Sequence, residues 1–139
     1  MKKYEAIILA GGKGKRVKKF TKKIPKCLIN INGKPFIYYQ LEYLKKNNIN
    51  NVIISTGYKH NKIQKYVKKN IDFINIKIVN DGKPLGTGGA TFKSLRYLKN
   101  KFFIIYGDSY LNFNLNRLKK NNYSVIMGIF KNNNKYDKS

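Results

Sequence analysis

Three stretches of this chain combine glycine with charge in patterns suited to holding phosphate. The first is Leu9-Ala10-Gly11-Gly12-Lys13-Gly14-Lys15-Arg16, with three glycines in four positions and then a lysine and an arginine. Glycine costs backbone entropy, so a cluster of it points to a backbone requirement. Exposed main-chain N–H groups in such a turn can form an anion-binding nest, and the planar fork of Arg16 matches phosphate oxygens. A flexible turn with solvated charges has the same composition, and the stretch alone does not separate the two. It is not a Walker A box, because Gly14-Lys15 is followed by Arg16 rather than Ser or Thr, and it lacks the third glycine of GxGxxG. The second stretch, Asp81 to Ala90, holds Gly82, Gly86, Gly88 and Gly89 around Thr87. It reads as a loop that lets a flat ring approach the main chain, or simply as the entry to a helix. Asp81 is a ligand contact or a turn residue before Gly82. The third is Gly107-Asp108, closing the apolar run Phe102–Tyr106; Asp108 is a loop-end carboxylate with a task, or a helix cap. Lys26, after Pro25 and among apolar residues, is more firmly placed than the lysines around it.

These groups need a frame that brings them together, and the apolar pattern predicts one. Tyr4–Ala10 is a buried strand and Gly11–Pro25 a long basic loop. Cys27–Ile31 is a weakly alternating segment ending in the turn Asn32–Pro35. From Pro35 the period changes to that of a helix, carrying Phe36, Ile37, Tyr39, Leu41, Tyr43 and Leu44 and fading at Lys45–Asn48. Strands follow at Val52–Ser55, Ile74–Val79, Phe102–Tyr106 and Ser124–Phe130. Helices are expected at Lys62–Lys69, at Ala90–Leu98 with Phe92, Leu95 and Leu98 on one face, and at Leu115–Asn121. Strands alternating with helices, each strand apolar on both faces, predict an α/β fold: a Rossmann-like, mostly parallel sheet with helices on both faces, three layers in all. Ligands of such sheets bind beyond the carboxyl ends of the strands. All three glycine-bearing loops leave from carboxyl ends, so they are expected to converge on one rim.

Composition narrows the rest. Thirty Lys and Arg stand against six Asp and Glu, a formal charge of +24. All but Arg16, Arg96 and Arg117 are lysines, spread along the whole chain together with abundant Asn and Ile, a pattern of biased coding composition more than of a nucleic-acid stripe. Polyanions would be attracted non-specifically, with steep salt dependence; no specific nucleic-acid partner is expected. Of the six acids, Asp81 and Asp108 alone stand at places that do not look like ordinary surface. His60 has no acidic or cysteine neighbour in sequence and reads as surface, and Cys27, the only cysteine, as a packed thiol. No signal peptide or membrane span is expected, and the setting is read as cytoplasmic. Residues 1–130 are read as one domain and 131–139 as a polar, disordered tail.

Taken in order, Leu9-Ala10-Gly11-Gly12-x-Gly14-x-Arg16, then Ile24-Pro25-Lys26, Asn32-Gly33-Lys34-Pro35, Pro84-Leu85-Gly86-Thr87-Gly88-Gly89-Ala90 and Gly107-Asp108, the chain resembles the sugar-1-phosphate nucleotidyltransferases, most closely their mannose- or heptose-1-phosphate guanylyltransferase branch. The resemblance covers about residues 4–130. It implies an enzyme that joins an NTP, GTP favoured, to a sugar 1-phosphate, releasing pyrophosphate and a nucleotide-sugar for surface polysaccharide or lipopolysaccharide precursors. It implies that Leu9, Ala10, Gly11, Gly12 and Gly14 contact the nucleoside and phosphates, that Arg16 holds the departing pyrophosphate and Lys26 the reacting phosphates. Gly86, Thr87 and Gly88 would read the base through the backbone, with Asp81 a base or ribose contact, and Asp108 would bind Mg²⁺. The match departs from the family in its second half. Family members run well past 200 residues, and their later part builds most of the sugar pocket and adds another metal-binding aspartate. Here Asn112 and Asn114 stand where further aspartates are common, and Asp137 is the one late carboxylate. The expected sheet is unfinished, leaving an edge that another chain or a second copy would complete. The alternative reading is a truncated module that binds nucleotide or polyanion without catalysis.

Overall fold

The computed structural model describes residues 3–14, 22–110, 114–120 and 123–129. Among these residues there are six strands and four helices, the four longer strands alternating with helices as expected. β1 (Tyr4–Ala10) leads to a 3₁₀ turn at Lys26–Leu28, then to β2 (Asn30–Ile31), β3 (Lys34–Pro35) and α1 (Phe36–Lys46). β4 (Asn51–Thr56), α2 (His60–Asn70), β5 (Asn75–Asn80), α3 (Gly86–Leu95), β6 (Lys101–Tyr106) and α4 (Leu115–Lys119) complete the series. The chain divides into two compact units, one up to Ser109 and one from Tyr110.

In the first unit four parallel strands form one sheet in the order β5-β4-β1-β6. β1 is central: Ile7 stands beside Ile53 on one side and Ile104 on the other. Ala6, Ile7 and Ile8 are fully buried, so both faces of β1 are covered, as its unbroken apolar run requires. Ile7, Ile53 and Val79 cluster on one face beneath Tyr97 and Leu98, which follow α3. The crossovers through α1 and α2 step from β1 to β4 and from β4 to β5, whereas α3 carries the chain back past β1. With right-handed crossovers this puts α1 and α2 on the face opposite α3, giving three layers. Ile37, Leu41, Leu44, Ile63 and Val67 are the buried side of that helical pair. The direction of connection reverses between β1 and β6, and the crevice beyond the carboxyl ends there is the place where such sheets hold ligands.

Several expectations change. The weakly alternating Cys27–Ile31 is extended only in its second half: Leu28 N–H donates to Pro25 O (2.9 Å) and Ile29 N–H to Lys26 O (3.1 Å), so the chain turns first and then enters the short β2–β3 hairpin. α3 starts at Gly86, four residues earlier than the apolar pattern indicates, with Gly86 at φ +67°. Its buried side is Ala90 and Ser94. Phe92 and Leu95, expected on the packed face, are exposed, and the side turned inward is that of Ala90 and Ser94, one helical turn apart. β6 is not covered on both faces: Phe102, Ile104 and Tyr106 share one side and all are exposed. In the second unit, Ser124–Phe130 forms no strand over its described residues. Val125, Met127 and Ile129 are exposed, since an apolar run becomes a strand only where a partner supplies a ladder. Phe130 and the tail lie outside the described residues. Among the described residues no helix is long and apolar enough to cross a membrane.

Candidate active site at the carboxyl edge

The four strand ends are stitched together beyond the sheet itself. Gly107 N–H donates to Leu9 O (2.8 Å), Tyr58 N–H to Gly11 O (3.2 Å) and Asp81 N–H to Thr56 O (2.7 Å). The loops after β6, β1, β4 and β5 thus continue side by side along one rim. The join at Gly107 is close enough that a Cβ there would lie 2.7 Å from Leu9 O and 3.0 Å from Ala10 Cα, so only glycine fits. This glycine lets the Asp108 loop lie against the end of β1.

The centre of the rim is the ion pair between Lys26 Nζ and Asp108 Oδ2, at 2.8 Å. Both side chains remain about one third exposed, 32% and 40%, so ligands can reach them. Lys26 owes its position to the 3₁₀ turn, anchored by buried Pro25 and Cys27 on either side. The Lys59 and Lys62 ammonium groups donate to the carbonyls of Lys22 and Lys23 just ahead of that turn. Cys27 itself is 2% exposed, and burial pushes its thiol up to about 12, which makes it a packing group and no nucleophile.

Asp81 is buried, accepts from Ser55 Oγ (2.8 Å), and places Oδ2 3.2 Å from where a Cβ on Gly11 would stand. A carboxylate therefore sits against the glycine loop. Lys93 Nζ donates to Asn80 O (2.6 Å) and Asp81 O (3.2 Å), fastening α3 to the end of β5. Gly86, Thr87 and Gly88 form the exposed first turn of α3, which Leu85 leaves without a side-chain cap and which contains no acid. The unpaired N–H groups and positive end of that turn suit an anion or the acceptor edge of a base.

The structure thus brings Leu9, Ala10, Gly11, Gly12, Lys26, Asp81 and Asp108 to the same carboxyl edge, with Gly86, Thr87 and Gly88 following β5 there. Gly14 is described, at φ +61°; Arg16 lies outside the described residues, with the rest of 15–21. Sequence reasoning missed three contributors. Ser55 orients Asp81, and Gly57-Tyr58 adds a fourth loop, signalled by the glycine that ends the run Val52–Thr56. His60 is not a free surface group: its Nδ1 is 2.7 Å from Thr56 Oγ1, which donates to Val79 O (2.9 Å), so the ring must supply the proton to the hydroxyl. Glu5, expected at the surface, is buried at the opposite edge and accepts from Lys99 N–H (2.7 Å) and Asn100 N–H (2.8 Å).

Among the described residues no group of three or more His, Cys, Asp or Glu could hold a metal ion. Those residues alone therefore build no cage for one. One half-exposed carboxylate at a rim open to phosphates does fit Mg²⁺, which keeps several waters and takes one or two carboxylates together with substrate oxygens.

Comparison with known proteins agrees with this architecture. The nucleotidyl transferase family model matches residues 5–133. A D-glycero-α-D-manno-heptose 1-phosphate guanylyltransferase of Campylobacter jejuni is 40% identical over 125 residues, 90% of this chain and 57% of that protein. The enzyme of the same name from Aneurinibacillus thermoaerophilus is 43% identical over 106 residues, 76% of this chain and 46% of its own. The crystal structure of HddC from Yersinia pseudotuberculosis complexed with GMP-PN superposes with a TM-score of 0.78 at 34% identity, covering 84% of this chain and 53% of HddC. The chain spans about half the length of the curated relatives it matches.

Proposed function

The chain belongs to the nucleotidyl transferase family, and from that premise we propose that its carboxyl edge binds an NTP, GTP by preference, for transfer of the nucleotidyl group to a sugar 1-phosphate. The observation that carries this reading is the 2.8 Å pairing of Lys26 with Asp108 beside the Leu9–Gly12 loop, at the point where the sheet's connections reverse. The names of the heptose 1-phosphate guanylyltransferases and the GMP-PN complex of HddC support a guanine nucleotide and a heptose-type acceptor. Delivery of the product to surface-polysaccharide or lipopolysaccharide precursors, and a cytoplasmic setting, belong to the same proposal.

In this reaction an oxygen of the sugar phosphate attacks the α-phosphorus. A new P–O bond forms as the α–β bridging bond breaks, and the electron pair leaves with pyrophosphate. Positioning and charge stabilisation supply most of the catalysis in such transfers. Lys26 turns its ammonium from Asp108 to the α-phosphate and the incoming sugar phosphate. Arg16 takes the charge of the departing pyrophosphate. Gly11 and Gly12 let the triphosphate lie against the main chain, while the first turn of α3 and Asp81 meet the base and ribose. Asp108 would hold Mg²⁺, which supplies charge neutralisation at the phosphates when bound.

The test is pyrophosphate release by the chain across the four NTPs and a panel of sugar 1-phosphates. GTP with a heptose or mannose 1-phosphate and Mg²⁺ is expected to give the highest rate. Should no NTP bind, or should Lys26→Ala and Asp108→Ala bind GTP as the unaltered chain does, the reading is wrong.

A further inference from the structure

The loop that carries Asp108 is gripped by a side chain that none of the glycine-bearing motifs contains. Gln40 sits mid-way along α1, 2% exposed. Its Nε2 donates to Tyr106 O and to Ser109 O, each at 2.8 Å, the two carbonyls that bracket Gly107-Asp108. Ser109 N–H closes the same turn onto Tyr106 O at 3.2 Å. Both donors of one primary amide are thus spent on one four-residue turn. The amide cannot be reversed, since that would set its oxygen against two carbonyl oxygens. Its Oε1 is buried and meets no donor among the described residues. A buried acceptor without a donor is destabilising. Methionine, of the same length, would fill the space without that penalty, so packing alone does not account for an amide here.

We infer that Gln40 is a positioning residue that holds the Asp108 carboxylate where a divalent cation and the nucleotide phosphates meet. The inference rests on the proposed role of Asp108 as the metal-holding group. The exposed pair with Lys26 is a weak restraint by itself, and it is given up when Lys26 turns to phosphate. What then fixes the carboxylate is the backbone on either side of it, pinned by Gln40 to α1 and by Gly107 N–H to Leu9. Groups that orient a metal ligand are worth about 10–100-fold in metal affinity.

The experiment uses the full chain, Mn²⁺ as probe and a non-hydrolysable GTP analogue, with bound Mn²⁺ read by electron paramagnetic resonance. Gln40→Met is expected to keep the fold by circular dichroism and to bind the analogue without metal within about twofold of the unaltered chain. Its Mn²⁺ affinity in the ternary complex should fall about tenfold. Gln40→Glu, with the same shape and at most one donor, the O–H of a carboxyl that burial keeps neutral, should also lose affinity. Unchanged Mn²⁺ affinity in both variants would overturn the inference. So would failure of both to fold, which would make Gln40 a core residue only. Asp108→Asn separates the two layers: if it leaves Mn²⁺ affinity intact, the metal-holding role of Asp108 falls and this inference with it. If it abolishes Mn²⁺ binding while both Gln40 variants retain it, only the role of Gln40 falls.

Discussion

Two carboxylates lie at opposite edges of the same sheet and are treated in opposite ways. Glu5, at the start of β1, is buried and accepts two backbone N–H groups from the turn before β6. Asp108, just after β6, is 40% exposed in its side chain and is met by the Lys26 ammonium. Each acid is thus held by chemistry suited to a different use. Amides that cannot leave make Glu5 part of the scaffold, whereas a mobile ammonium leaves Asp108 able to change partners. The amino edge fastens the sheet and the carboxyl edge stays open to ligands.

The largest expected effect lies on the open side. Asp108→Asn should lower the rate of pyrophosphate release about 10²–10³-fold, the scale of removing one electrostatic contact to a transition state, with little change in melting temperature. If the melting temperature collapses instead, Asp108 is scaffold and the contrast with Glu5 breaks. Next, Lys26→Ala should weaken binding of the GTP analogue about 10–100-fold in a calorimetric titration, the range for a charge-assisted hydrogen bond. The same variant should bind Mn²⁺ alone slightly more tightly, because Asp108 loses its competing cation. On the closed side, Glu5→Ala should cost about 1–3 kcal/mol in urea unfolding by removing the charged acceptor of two backbone N–H groups, while pyrophosphate release per folded molecule stays within about twofold. The effect that is smallest at neutral pH concerns Cys27. Its thiol is raised from 9.0 to about 12 in the folded chain by burial. Keeping it neutral favours the folded state fully below pH 9, and that advantage is lost as pH climbs from 9 to 12, where the unfolded thiol ionises first. Unfolding titrations of the chain and of Cys27→Ala across that window should diverge, with the unaltered chain losing more stability.

Much of the frame was legible because period and burial act locally. The run Tyr4–Ala10 needs two covered faces, and the change of period at Pro35 marks α1 to within a residue. The convergence of the glycine loops followed from parallel connectivity alone. What escaped was set by distant partners. Nothing near Glu5 announces that Lys99 and Asn100 will enclose it, and nothing near Gln40 announces the turn at Asp108, 66 to 69 residues away. Gly86 to Gly89 disfavour a helix by propensity, yet the packing of Ala90 and Ser94 and the Lys93 tether carry α3 back through them. The exposed side of β6 and the absence of a strand over the described residues 124–129 have a related reason: apolar sequence announces a wish for cover without naming the cover.

The central position of β1 sets a schedule for synthesis. It is the first of the four sheet strands to be made, but Glu5 pairs with Asn51 on one side and Phe102 on the other. At about 5–20 residues per second, the strand destined for the middle of the sheet waits roughly 5–20 s for its second neighbour. Through that interval one edge of Ala6, Ile7 and Ile8 has no partner, and the nascent chain is at its most adhesive before the carboxyl rim is complete.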